Sequence, residues 1–220
     1  MILLLSAISS SAQPILVGVE PILSGPQAPF GVQSLDAVKL AVNQINAQGG
    51  VLGRPIELVV QDQGTTSSSL LTATHILVSQ DGVSYIIDTT NSGGVQSEAS
   101  YLYQSKVIEL QVSASLDALM VPPDNTYMWR LNTGDSAAAL VTLQWLNMVG
   151  AKSVVFQSED FSYAHEIVSE FQNDTTAANS SITVQSADYY PVTTTDYSAA
   201  IANTIIASYE FSEYSDRGWL

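Results

Sequence analysis

The chain has no cysteine, which excludes disulfides, thiolate metal sites and thiol redox chemistry. Basic residues are nearly as scarce: six Lys and Arg stand against 21 Asp and Glu, a formal net charge of −15. Such a surface repels nucleic acid phosphates and anionic lipid, so neither is expected as a partner. The acidity fits solubility or salt adaptation and does not point to a ligand. Only two histidines occur, His75 and His165, far apart and each in a helical pattern, so no metal site is expected. There is no GxSxG elbow, P-loop, HExxH or DxDxDG motif. Glu159 and Asp160 are adjacent acids, and adjacency on a loop does not make an acid/base pair. No enzyme and no cofactor are therefore expected. Beyond the N-terminus, nothing approaches the length of a membrane span.

What is present can build a core. The chain has 220 residues, of which 46% are hydrophobic, enough for one large domain or two small ones. Residues 1–8 are almost wholly apolar, and Ser9, Ser10, Ser11 and Ala12 follow with a small-x-small cleavage pattern. We read residues 1–12 as the remnant of a secretory signal, although no basic region precedes it. Asn173 and Asn179 each begin a glycosylation triplet, a pattern that polar loops also produce by chance. Both features suit a secreted protein, periplasmic or extracellular.

Apolar runs alternate with helical patterns along the chain. Residues 15–19 (ILVGV) and 56–60 (IELVV) suit buried parallel strands. Between them, Val32, Leu35, Val38, Leu40, Ala41, Val42 and Ile45 give a helix a wide apolar face, which Gly49 and Gly50 terminate. Further strands are expected at 83–87, 107–112, 127–131, 154–157 and 182–190, and helices at 67–80, 93–104, 135–148, 163–172 and 196–207. Residues 174–181 read as a polar loop. The alternation predicts an α/β fold, doubly wound, with a four-stranded parallel sheet over residues 15–112.

The wording of residues 24–62 is specific. Ser24, Gly25 and Pro26 are followed by Phe30 and Gly31, then by a helix ending Ile45, Asn46, Ala47, Gln48, Gly49, Gly50, Val51, Leu52, Gly53. This resembles the opening of type I periplasmic solute-binding proteins of the leucine-binding (branched-chain amino acid) group, and the resemblance runs, more weakly, to about Ala207. It implies two lobes with parallel sheets, 13–131 and 132–220, closing on a small polar ligand, an amino acid, for delivery to an ABC-type transporter through a membrane permease. The alternative is the ligand-binding ectodomain of a receptor, because class C and natriuretic-peptide-type receptors share the fold; its partner would be a receptor transmembrane module.

The resemblance also implies site residues. Ser92 falls at the family's carboxylate-binding serine, although a serine beside glycines at a helix start also serves simply as a cap. Ser113, Ala114 and Ser115 resemble the segment whose backbone and hydroxyl hold the ligand head group. Tyr163 matches the ligand-facing tyrosine, with Ala164 where glycine is usual, and Phe30 matches the aromatic that touches the ligand side chain. No segment matches the acid expected opposite a ligand ammonium. The second lobe also reads as truncated, with an open sheet edge. On those two grounds, weak amino-acid binding by these 220 residues is expected.

Overall fold

The structure, a computed structural model, describes residues 13–89, 92–122, 126–191, 193–202 and 204. The expected signal remnant at 1–12, Asn91 and the end of the chain lie outside these residues. The elements in chain order are β1 (Ile15–Glu20), α1 (Ala28–Ala47), β2 (Ile56–Val60), α2 (Ser67–Ser79), β3 (Tyr85–Asp88), α3 (Ser92–Gln96), α4 (Ala99–Ser105) and β4 (Ile108–Gln111). A 3-10 turn (Asp117–Met120) leads to β5 (Met128–Arg130), α5 (Asp135–Val149), β6 (Ser153–Glu159), α6 (Ser162–Ala177) and β7 (Thr183–Tyr190).

The first five strands form one sheet in the order β2-β1-β3-β4-β5, and every neighbouring pair is parallel. Each crossover carries the chain over a face of the sheet, as parallel pairing requires. The expected four-stranded sheet therefore gains a fifth strand: the 127–131 run pairs with β4 rather than leaving the sheet. A second, two-stranded parallel sheet joins β6 to β7, with an irregularity between Val154 and Val155. No helix among the described residues is long and apolar enough to cross a membrane.

Two cores match the two sheets. The first gathers Leu77, Ile86, Val95, Leu102, Leu119 and Met128 beneath α2, α3 and α4. The second gathers Ala139, Leu143, Leu146, Phe171 and Ile182 between α5, α6 and the small sheet. On the opposite face of the large sheet, Leu35 and Val42 of α1 are buried, whereas Val32, Leu40 and Ile45 remain exposed. The expected apolar face of α1 is thus only partly used, and an apolar groove of about 440 Å³ runs between α1 and the strands.

Three local readings need correction. The helix expected at 93–104 is two helices, divided by a turn in which the Ser97 N–H donates to Gly94 O and the Glu98 N–H to Val95 O. That turn sends the Glu98 carboxylate inward to the Thr74 hydroxyl of α2. The helix expected at 67–80 runs Ser67–Ser79 and is capped by Thr66, whose hydroxyl accepts from the Ser69 N–H at 3.1 Å while the Ser69 hydroxyl accepts from the Thr66 N–H. Finally, α6 continues through Ala177, so half of the 174–181 segment is helical and Asn173 sits on a helix rather than in a loop.

Candidate functional site

In a 2-1-3-4-5 sheet the chain leaves β1 in one direction and returns through β3 in the other. Loops at the C-terminal ends of these strands diverge there and leave a crevice. A cleft of about 490 Å³ occupies this position. Ile22 after β1, with Gln27, Phe30 and Ser34, forms one wall; Thr89 and Ser92 after β3, Ser113 and Ser115 after β4, and Asn132 after β5 form the floor. The facing wall is Glu159, Phe161 and Tyr163, from the end of β6 and the start of α6. Both sheets therefore contribute to one cleft.

Five of the six residues singled out in the sequence line it: Phe30, Ser92, Ser113, Ser115 and Tyr163. Ala114 does not. In the extended segment after β4, side chains alternate, so Ser113 and Ser115 face outward while Ala114 packs into the first core at 1% exposure. Phe30 stands at the mouth, 70% exposed. The rings of Phe161 and Tyr163 stack with centroids 5.9 Å apart, giving the second wall an aromatic surface.

The Ser92 hydroxyl has more to do than the sequence suggested. It accepts hydrogen bonds from the Ser115 N–H at 3.1 Å and the Leu116 N–H at 3.2 Å, which ties the loop after β4 to the start of α3. Among the described residues its proton meets no acceptor. The Ser115 backbone is fully used, since its carbonyl accepts from Arg130 Nη1 at 2.7 Å and from the Asp135 N–H at 3.1 Å. Ser115 therefore offers its hydroxyl to the cleft rather than its backbone. Asn132 Nδ2 holds the Ser113 carbonyl at 2.8 Å.

Glu159 escaped the sequence reading. It was visible only as half of an acidic pair, and its direction depends on where β6 ends. The structure turns it into the cleft wall, whereas Asp160 is exposed and paired with His165 Nε2 at 2.7 Å. Glu159 and the serines line the same cleft. The walls thus carry hydroxyls, amides, one carboxylate and aromatic rings.

Beside the cleft, Glu166 of α6 accepts from the Asp117 N–H at 3.0 Å and so joins the second sheet's helix layer to the loop after β4. Burial pushes the Glu166 carboxyl up to about 7, and the neighbouring Asp135 adds to the rise. A carboxyl whose folded pKa lies above its unfolded value stabilises the fold fully below about 4.5, and that contribution is lost as pH rises through about 7. The Tm difference between the parent chain and Glu166→Gln should therefore shift against the parent between pH 5 and pH 8, because the amide cannot ionise. A difference independent of pH would show that Glu166 titrates as an ordinary surface acid.

Comparison with known proteins adds sequence and fold relationships. A family model described as "Periplasmic binding protein" matches residues 14–208. The "Leu/Ile/Val-binding protein homolog 2" of Brucella abortus (strain 2308) is 38% identical over 84 residues, 38% of this chain and 22% of that protein. The fold is similar to the branched-chain amino acid transporter substrate binding protein LivJ from Streptococcus pneumoniae in complex with isoleucine, at a TM-score of 0.76 and 24% identity, covering 86% of this chain and 53% of that one. It is also similar to a solute binding protein of an ABC transporter from Rhodopseudomonas palustris in complex with 3,4-dihydroxy benzoic acid, at a TM-score of 0.78 and 19% identity, covering 89% and 52%. The match thus spans about half the length of the two solved proteins and less of the Brucella protein.

Proposed function

Because the chain belongs to the periplasmic binding protein family, we propose that it is the extracytoplasmic binding component of an ABC-type transporter and that its cleft takes a small polar ligand, an amino acid. The reading divides the chain into lobes at 13–131 and 132–220 that close on the ligand by hinge motion, with a membrane permease as the docking partner. The two solved proteins named above are binding proteins of transporters, which favours this reading over a receptor ectodomain.

The observation that carries the ligand class is the opposition of Glu159 to the serines across one cleft. The hydroxyls of Ser92, Ser113 and Ser115 donate to a carboxylate, Glu159 receives the ammonium, and Phe30, Phe161 and Tyr163 offer apolar surface to a side chain. Nothing in this set calls for a cofactor or a bond-breaking step. A benzoate-type acid, which is the ligand class of the Rhodopseudomonas protein, would satisfy the hydroxyls and the rings but would leave Glu159 facing a second negative charge or a ring. A zwitterion uses every part of the cleft.

Calorimetry with L-leucine and with benzoate, on the 220-residue chain and on Glu159→Gln, tests this. The parent chain should bind leucine saturably. Glu159→Gln should weaken leucine by about 10- to 100-fold, the scale of a lost hydrogen bond to a charged group, and leave benzoate unchanged or tighter. Equal losses for both ligands, or no saturable leucine binding by the parent, would overturn the assignment.

A further inference from the structure

Beneath the cleft floor the large sheet carries a row of buried polar side chains. Glu20 on β1 is the register partner of Asp88 on β3, and Asp88 is the register partner of Gln111 on β4, so all three project from the same face. Glu98, from the turn between α3 and α4, comes down onto this row. Glu20, Asp88, Glu98 and Gln111 are each 0% exposed. One carboxylate oxygen from each of the three acids lies within 4.8 Å of the others. Glu109, also 0% exposed, adds a fourth acid two residues along β4.

Three acids placed so closely are ordinarily separated or paired with a cation. Here Thr74 donates to Glu98 Oε2, but among the described residues neither carboxylate oxygen of Glu20 has a hydrogen bond of ordinary geometry, although Thr74 lies near enough to lower its pKa. An observation independent of the acids points the same way. Among the described residues, both polar atoms of the buried Gln111 amide, a neutral side chain, lack a hydrogen bond of ordinary geometry, although the amide lies near enough to Glu109 to moderate its pKa. A buried amide left unbonded is costly and marks a missing partner.

We propose that Glu20, Asp88 and Glu98 form a calcium site, with the Gln111 carbonyl oxygen beside it. A cation that reaches oxygens at about 2.3–2.6 Å spans a cluster of this width. The donors are all hard oxygens, which suits calcium or magnesium rather than a softer metal. Full enclosure selects calcium, because magnesium retains several waters and demands near-ideal octahedral geometry, whereas calcium accepts an all-protein oxygen cage. One divalent charge also offsets the three carboxylates gathered within 4.8 Å of one another. Glu20 and Asp88 end the two strands whose following loops carry Ile22, Thr89 and Ser92 to the cleft. The ion thus pins the cleft floor from below. No sequence pattern marks the site, because its acids run from position 20 to position 98 and follow no metal-binding spacing.

The test uses the 220-residue chain treated with EGTA and dialysed, in 0.15 M NaCl, titrated with CaCl2 by calorimetry and thermal melting. One calcium should bind per chain, and a hundredfold excess over Kd should raise Tm by about 5–10 °C. MgCl2 should give a clearly smaller shift. Glu98→Gln should lower calcium affinity at least about 100-fold, whereas Asp36→Asn, at an exposed acid on α1, should leave it unchanged. Should Glu98→Gln fail to fold, equilibrium dialysis of the stripped parent chain against CaCl2, with bound calcium counted by atomic absorption, gives the answer without a variant: saturation at one ion per chain supports the site and no saturable uptake rejects it. The absence of saturable calcium binding, equal shifts with magnesium, or an unchanged shift in folded Glu98→Gln would each overturn the proposal, the last marking diffuse counterion binding to a chain of net charge −15.

Discussion

Gly31→Ala should be among the most destabilising single-methyl changes in this chain, costing about 3–5 kcal/mol, at the upper end of what overpacking does. Helix propensity alone forecasts the opposite sign, since alanine inside a helix is favoured over glycine by about 1 kcal/mol. Contact decides the matter. A Cβ on Gly31 would lie 1.8 Å from the Ile22 carbonyl oxygen, 2.6 Å from its carbonyl carbon and 2.7 Å from its nitrogen. All three are backbone atoms, so no rotamer change relieves the clash. Either α1 lifts from the sheet or the loop after β1 moves, and that loop holds Ile22 at the cleft. Against a total stability of about 5–15 kcal/mol the loss is severe. Urea denaturation checks it, with Gly49→Ala as the control. Gly49 has φ +100° but open space around its Cβ position, so its substitution carries backbone strain of about 1–2 kcal/mol without a clash. A Gly31→Ala variant as stable as the parent would refute the close approach of α1 to the first loop.

The same glycine shows what could be read in the sequence. The Phe30-Gly31 pair was visible in the resemblance, but the pattern could not say that a backbone carbonyl occupies the place of the missing side chain. Alternation of apolar runs was enough for a parallel sheet, and the rule that sites follow strands was enough to bring Ser92, Ser113 and Ser115 to one edge. Both are local facts added to a topology. The exceptions are non-local. Ala114 left the site because alternation in an extended loop reversed its direction. The 93–104 pattern supported one helix, since its apolar spacing runs through Glu98 uninterrupted; the break appears only when Thr74, 24 residues earlier, receives that carboxylate. The fifth strand, three residues long, is too short for periodicity to assign to a sheet. Glu159 needed the exact end of β6, and the row of Glu20, Asp88 and Gln111 needed the register of three strands.

Arg130→Met should cost about 2–4 kcal/mol, somewhat under the 3–5 kcal/mol of breaking a fully buried ion pair. Methionine keeps most of the volume, so the loss reports the guanidinium rather than a cavity. Arg130 Nη2 meets Asp117 Oδ1 at 2.8 Å, with side chains 15% and 30% exposed, so solvent screens the pair only in part. Asp117 in turn accepts from the Ser136 N–H at 2.8 Å and donates its own N–H to Glu166. One guanidinium therefore steadies the end of β5, the first turn of α5 and, through Asp117, the contact to α6. Gly134 is fitted to this junction: a Cβ there would fall 2.3 Å from Asp117 Oδ1 and 2.5 Å from Arg130 Nη2. The second bond, Nη1 to the Ser115 carbonyl at 2.7 Å, extends the effect to the cleft, since Ser115 is left with one backbone tether fewer. A double-mutant cycle of Arg130→Met with Asp117→Asn separates the pair from its surroundings. A coupling energy of about 1–3 kcal/mol, the range for residues in one network, would place the stabilisation in the ion pair itself. Purely additive losses would mean that Asp117 holds α5 and α6 without help from Arg130.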